Sequence, residues 1–140
     1  MILATLIYLI VIALAVLIHF EVLNVLTQWL PKLPGRRRAS ILFGVFGAII
    51  AHVVEIWLFA FVYYVMLQTS FFGGLTVNIS NSLLDCVYFS FTCYTSLGFG
   101  DINPYGHLRF LTGLEALTGL VLIAWTASFM YIEMQKLWKK

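Results

Sequence analysis

Apolar side chains run almost unbroken from Ile2 to about Leu30, again from about Ile41 to Leu67, and a third time from about Leu108 to Met134. Each run is long enough for a helix that crosses a hydrocarbon core ~30 Å thick, which takes about 20 residues. Polar residues break the runs sparingly. His19 and Glu21 lie in the first, with Asn24 and Gln28 near its end; His52 and Glu55 lie in the second and Glu115 in the third. Between the second and third runs the pattern changes twice. Residues 68–80 (QTSFFGGLTVNIS) are polar and contain glycine, and predict an exposed loop. Leu83 to Tyr94 is apolar and aromatic. At about twelve residues it is too short to span and suits a re-entrant half-helix. Asn81 or Ser82 fits its N-cap, and Asp85 its first turn. The half-helix runs directly into T-S-L-G-F-G-D, residues 95–101.

These elements predict an all-α membrane protein with three transmembrane helices plus one re-entrant helix. Composition agrees: 62% of residues are hydrophobic and 10% charged, a surface that water could not solvate. The bilayer is the expected surrounding. No nucleic-acid partner and no soluble substrate are expected, and no room is left for a soluble domain. The first span is read as retained, because it lacks a basic leader and a small-residue cleavage site. Residues 31–35 (PKLPG) break the chain after it. Lys32, Arg36, Arg37 and Arg38 lie between the first two spans, and Lys136, Lys139 and Lys140 follow the third. Only Arg109 lies between spans two and three. The positive-inside bias then puts the linker and C-terminus in the cytoplasm and the N-terminus outside, in the plasma (cytoplasmic) membrane. Trp57, Tyr63, Tyr64, Trp125 and Trp138 are candidate interfacial anchors or plain packing residues. Cys86 and Cys93, seven apart on one helix, cannot bridge each other. Asn78-Ile-Ser is a glycosylation sequon if the chain is made in a eukaryote.

Non-helical backbone at membrane depth is tolerated only where protein surrounds it or it lines water. Glycines at alternate positions let successive carbonyls point one way, and rings of such carbonyls replace the hydration shell of a cation. The half-helix points the negative end of its dipole at the same place. The bare backbone at 96–100 is therefore read as the ligand itself.

The run D-C-V-Y-F-S-F-T-C-Y-T-S-L-G-F-G-D-I-x-P resembles the pore helix and selectivity filter of tetrameric potassium channels, whose pattern is T-V-G-Y-G-D. The resemblance covers about residues 41 to 135. It implies a pore domain over 41–140 and leaves 1–30 as an additional N-terminal helix and 31–40 as a basic linker. Within that domain lie an outer helix (41–67), turret (68–82), pore helix (83–95), filter (96–100) and inner helix (107–135). It implies K+ sites at Ser96, Leu97, Gly98 and Phe99, with Gly100 closing the filter. Thr95, the aromatic pair Tyr88 and Phe89, and Asp101 would support it. Gly119, ten residues after Arg109, would be a hinge or a site of close helix contact. Leu120, Ile123, Ala127, Ser128 and Tyr131 would line the cavity and gate. Ser96, Leu97 and Phe99 depart from the family's Thr, Val and Tyr, which bears on strict selectivity. One filter strand cannot enclose an ion, so a homotetramer is required. The expected function is passive K+ conduction, with K+ as permeant ion and no cofactor or catalytic residue. A weakly selective cation channel and a membrane metalloprotein are the alternatives.

The ionisable residues in the spans cost ~3 kcal/mol each unless they face partners. At 1.5 Å per residue His52 lies roughly 20 Å outward from Arg38, and His19 roughly 18 Å outward from Pro31. They can meet if the spans form a hairpin. His19, Glu21, His52, Glu55 and Glu115 are thus a candidate polar cluster, with His52, Glu55 and Glu115 behind the filter. A static hydrogen-bonded network, a proton-sensitive brace and a metal site are all open readings. His107, near the outer mouth, is an exposed loop residue or a second pH-sensitive group.

Overall fold

The computed structural model describes residues 2–32, 37–69, 72–76 and 82–138. In chain order it contains α1 (Ile2–Trp29), a 3₁₀ turn (Leu30–Lys32), α2 (Arg37–Leu67), β1 (Gly73–Thr76), α3 (Leu83–Tyr94), β2 (Asn103–Gly106) and α4 (Leu108–Trp138). Helices α1, α2 and α4 are long and apolar enough to cross a membrane, and α3 is not. The protein is a multi-pass, all-α membrane protein with one short β-ribbon.

Local chemistry sets the ends. Pro31 disfavours helix at the residue before it, and α1 gives way to the 3₁₀ turn at Leu30. The second break, Pro34-Gly35, lies outside the described residues, as do the Asn78 sequon, Asn81, Lys139 and Lys140. Helix α2 starts at Arg37, so part of the basic run is helical. Ser82 caps α3 with a reciprocal capping box: its hydroxyl accepts from the Asp85 N–H at 3.2 Å, and Asp85 Oδ2 accepts from the Ser82 N–H at 3.2 Å.

The ribbon is absent from the sequence reading. β1 pairs antiparallel with β2, from Gly73 opposite Gly106 to Thr76 opposite Asn103. Gly73 and Gly106 have φ of +100° and +69°, and a Cβ on either would meet the other's backbone. Backbone contact of this kind leaves no hydrophobic pattern to read.

Helix α1 buries Ala4, Tyr8, Val11, Ala15, His19 and Leu23 at spacings of three and four, one stripe of an α-helix. It packs on both α2 and α4 of its own chain, and α3 lies against α2 and α4. Small residues at Ala15, Ala51 and Ala60 are fully buried and let the backbones approach. Tyr63, a candidate anchor, is instead fully buried. It packs edge-on to Phe89 with ring centroids 5.1 Å apart. Cys86 and Cys93 are buried and unbridged.

Gly119 is a point of close contact, and α4 continues through it. A Cβ there would overlap the Tyr94 carbonyl at the end of α3. Around Gly113, six residues earlier, the space is open. Gly119→Ala should therefore destabilise the protein by about 1–3 kcal/mol through overpacking. Gly113→Ala should be neutral or more stable by about 0.5–1 kcal/mol. Thermal unfolding of both variants in detergent checks the contrast, and equal effects would rule out the contact.

Candidate functional site

Helix α3 ends at Tyr94, and the chain leaves it through a left-handed turn at Ser96, φ 58°. The Ser96 N–H donates to the Cys93 carbonyl at 2.9 Å, and the Gly98 N–H to the Thr92 carbonyl at 3.0 Å. This is how glycine usually stops a helix; a serine does it here. Gly98 and Gly100 also have positive φ, 49° and 79°, whereas Leu97 and Phe99 do not. Handedness thus alternates along residues 96–100. Alternation of this kind turns successive carbonyls, which oppose one another in a uniform strand, toward one side.

The side chains around this segment divide by face. Tyr88 stacks on Phe99, with centroids 6.5 Å apart and planes 7° apart. Its hydroxyl donates to Asp101 Oδ2 at 2.7 Å. Leu97 and Phe99 line a cavity of about 230 Å³ with Tyr88, Phe91 and Thr92. The Thr95 hydroxyl donates back to the Phe91 carbonyl at 2.7 Å. Phe89 departs from the expected cuff. One residue on from Tyr88 and so about 100° around the helix, it faces Tyr63 in the core and not the 96–100 segment.

Residues 95–100 are exposed in the single chain. So are Leu120, Ile123, Ala127, Ser128 and Tyr131, while Leu111, Glu115, Thr118 and Leu122 face inward. Helix α4 thus presents a free apolar stripe on the side away from its own core. Arg109 is exposed at its start. His107 is half-buried, and its carbonyl accepts from Tyr8 Oη at 2.8 Å.

Behind α3 the structure assembles two polar centres. In the first, Glu55 Oε1 lies 2.8 Å from His19 Nδ1, and Oε2 lies 3.3 Å from His52 Nδ1. The Tyr94 hydroxyl donates to Glu55 Oε2 and lies 2.9 Å from His52 Nδ1. Thr126 Oγ1 lies 3.0 Å from His52 Nε2 and 3.2 Å from His19 Nε2. The three expected residues His19, His52 and Glu55 do meet, with ring centroids of the two histidines 5.2 Å apart. Their ligand atoms lie within 4.8 Å of one another, a spacing that could hold a metal ion.

The second centre is Glu115. It accepts from Tyr63 Oη at 2.6 Å and from the Ser90 hydroxyl, which also donates to the Ile56 carbonyl at 2.9 Å. Glu115 therefore does not join His52 and Glu55, as the depth estimate suggested. That estimate fixed height and not azimuth. Glu21 joins neither centre. Two residues beyond His19, it sits about 200° around α1 and is exposed. Tyr94, Thr126 and Ser90 are not singled out by the sequence, and Tyr63 only as a candidate anchor. For Thr126 a signal existed: it follows Glu115 by eleven residues, three turns along one helical face.

A 12-residue apolar helix that ends in bare, alternately handed backbone lies between two helices long and apolar enough to cross a membrane. A family model described as ion channel matches residues 51–136. The match covers more than half of the sequence, and the chain belongs to this family of two-helix pore-domain ion channels. No curated protein and no solved structure matches it.

The second centre makes a stability prediction. Glu115→Ala leaves the buried Tyr63 hydroxyl without its main acceptor and should cost about 2–3 kcal/mol. Glu115→Gln keeps a carbonyl acceptor and should cost about 1 kcal/mol or less. Unfolding titrations in mixed micelles check the order, which reverses if the carboxylate is a liability.

Proposed function

We propose that the protein is a potassium-selective channel, conducting K+ passively through a homotetramer in the plasma membrane. The observation that carries this reading is the alternation of φ over Ser96, Gly98 and Gly100, directly after a half-helix in a chain of the ion-channel family. The ligands are the carbonyls of Ser96, Leu97, Gly98 and Phe99 with the Ser96 hydroxyl, and Gly100 ends the row. Removing water from a cation in a low-dielectric interior needs several oxygens at once, and one strand supplies too few. Four copies around an axis supply them. Exposure of residues 95–100, and of the Leu120–Tyr131 stripe on α4, supports burial of those faces among neighbouring copies around a central path. Gly119 holds α4 against α3 at the level of Tyr94, so movement of α4 is felt at the filter.

Asp101 anchors the outer end of the filter through Tyr88. The N-terminus and the ribbon lie outside, and the basic linker and C-terminus lie in the cytoplasm. The activity is transport and not catalysis.

The test is a reversal potential in planar bilayers with K+ on one side and Na+ on the other. Reversal near the K+ equilibrium value is expected, and Gly98→Ala should abolish the current. Reversal near zero would refute selectivity and implicate Leu97 and Phe99. A current that survives Gly98→Ala would refute the filter assignment.

A further inference from the structure

Two imidazoles and a carboxylate from two spans meet in the first polar centre, at the spacing of a coordination shell. His52 and Glu55 stand three apart on α2 and share one helical face. His19 reaches them from α1. Metal sites in helical bundles are built in this way, from inward side chains on facing helices.

In a tetrahedral zinc site, with each ligand ~2.0–2.1 Å from the ion, the ligand atoms lie about 3.3 Å from one another. Here Glu55 Oε1 lies 2.8 Å from His19 Nδ1, and Oε2 lies 3.3 Å from His52 Nδ1. The Tyr94 hydroxyl lies 2.9 Å from His52 Nδ1 and also bonds Glu55 Oε2. One ligand atom from each of His19, His52 and Glu55 falls within 4.8 Å of the others. Small side-chain adjustments bring such a set onto one ion.

The two rings are turned the same way. Their Nδ1 edges converge on Glu55, and their Nε2 edges converge on Thr126 Oγ1, at 3.0 Å from His52 and 3.2 Å from His19. A metal-ligating histidine donates its other ring N–H to an oxygen, which fixes the ring and its tautomer. With an ion on both Nδ1 atoms, each neutral ring carries its hydrogen on Nε2. The two lone pairs of Thr126 Oγ1 accept both. One hydroxyl thus supports both imidazoles, and the Trp125 indole, 5.4 Å from the His19 ring, packs beside them.

The donor set selects the class of ion. Imidazole nitrogen with carboxylate oxygen suits late first-row divalent ions such as Zn2+, whereas Mg2+ and Ca2+ take all-oxygen shells. Cys86 and Cys93 are not in the set, and Glu115 is engaged by Tyr63 and Ser90. Among the described residues, the basic groups that reach Glu55 are the two imidazoles, so no lysine or arginine competes for the carboxylate. His19 and Glu55 are fully buried, while His52 keeps 16% of its side chain exposed in the single chain and gives an ion its entry.

We propose that His19 Nδ1, His52 Nδ1 and Glu55 form an intramembrane site for Zn2+ or a related late first-row divalent cation. The Tyr94 hydroxyl takes the fourth position, and Thr126 is the shared outer partner. A bound ion joins α1 to α2 directly and reaches α3 and α4 through Tyr94 and Thr126. Its role is structural, because protein groups fill all four positions and leave none open for a substrate. The inference does not depend on which ion permeates.

The test uses the full chain without an affinity tag, so that His107 is the one histidine of three outside the site. The protein is stripped with EDTA in detergent micelles and titrated with Zn2+ alone. Equilibrium dialysis should give one tightly held Zn2+ per chain. Zinc X-ray absorption should show two imidazoles, the remaining ligands oxygen, and no sulfur. The thermal unfolding midpoint should rise with Zn2+ and not with Mg2+. His19→Gln and Glu55→Gln should each lose stoichiometric binding, and His107→Gln should keep it. Thr126→Val should weaken binding by about 10–100-fold. A wild-type chain that holds no Zn2+ would overturn the proposal and leave a hydrogen-bonded network only. A shell containing sulfur, or Zn2+ retained by His19→Gln, would overturn it too. If His19→Gln does not fold, wild-type stoichiometry and the absorption spectrum decide alone. Because no flux is measured, a failure here is distinct from a failure of K+ selectivity.

Discussion

A helix that stops inside a membrane leaves its last carbonyls facing a medium that cannot bond them. Much of what surrounds α3 answers that constraint. The chain folds back on the helix end, so that N–H groups of Thr95, Ser96 and Gly98 return to carbonyls of Phe91, Cys93 and Thr92. Ser90 and Tyr94, two inward-facing polar groups of α3, each meet a carboxylate from a neighbouring helix. Gly119 lets α4 come close enough to cover the Tyr94 carbonyl. Without those partners a 12-residue helix would have neither the length to span nor the surface to stay buried.

The limits of the sequence follow from the same physics. Span length, the half-helix and its Ser82 cap depend on local composition, and they are legible from the chain. The meeting of His19 with His52 was legible from height alone, because rise per residue is fixed. Azimuth was not legible. Glu21 and Glu115 lie at heights that fit a single cluster, yet one faces outward and the other a different centre. Phe89 faces Tyr63 for a related reason: adjacent positions on a helix face different neighbours, and a motif of two aromatics does not say which. The β1–β2 ribbon rests on paired glycines and backbone hydrogen bonds, which have no hydropathy signature.

Helix α1 changes what the family's two-helix core contains. The family match begins at residue 51, so His52, Glu55, Tyr94 and Thr126 lie within it and His19 lies outside. Remove His19 and Glu55 keeps only His52 and Tyr94 as hydrogen-bond partners, and Thr126 keeps one imidazole. The additional helix therefore does more than cover apolar surface. It completes a polar centre whose other members sit on α2, α3 and α4, and its own buried stripe mixes Ala4 and Ala15 with the larger Tyr8, Val11 and Leu23.

The two centres behind α3 differ in kind. Glu115 accepts only from hydroxyls of Tyr63 and Ser90, groups whose protonation does not change near neutral pH. Glu55 instead meets two imidazoles and the Tyr94 hydroxyl. Position along α3 makes the difference matter. Ser90 holds the middle of the helix, where a fixed bond secures its placement between α2 and α4. Tyr94 is its last residue, adjoining the turn at Ser96 and lying under Gly119. Ser90 and Tyr94 thus hold α3 at its middle and at its end, each to a carboxylate from a different neighbouring helix.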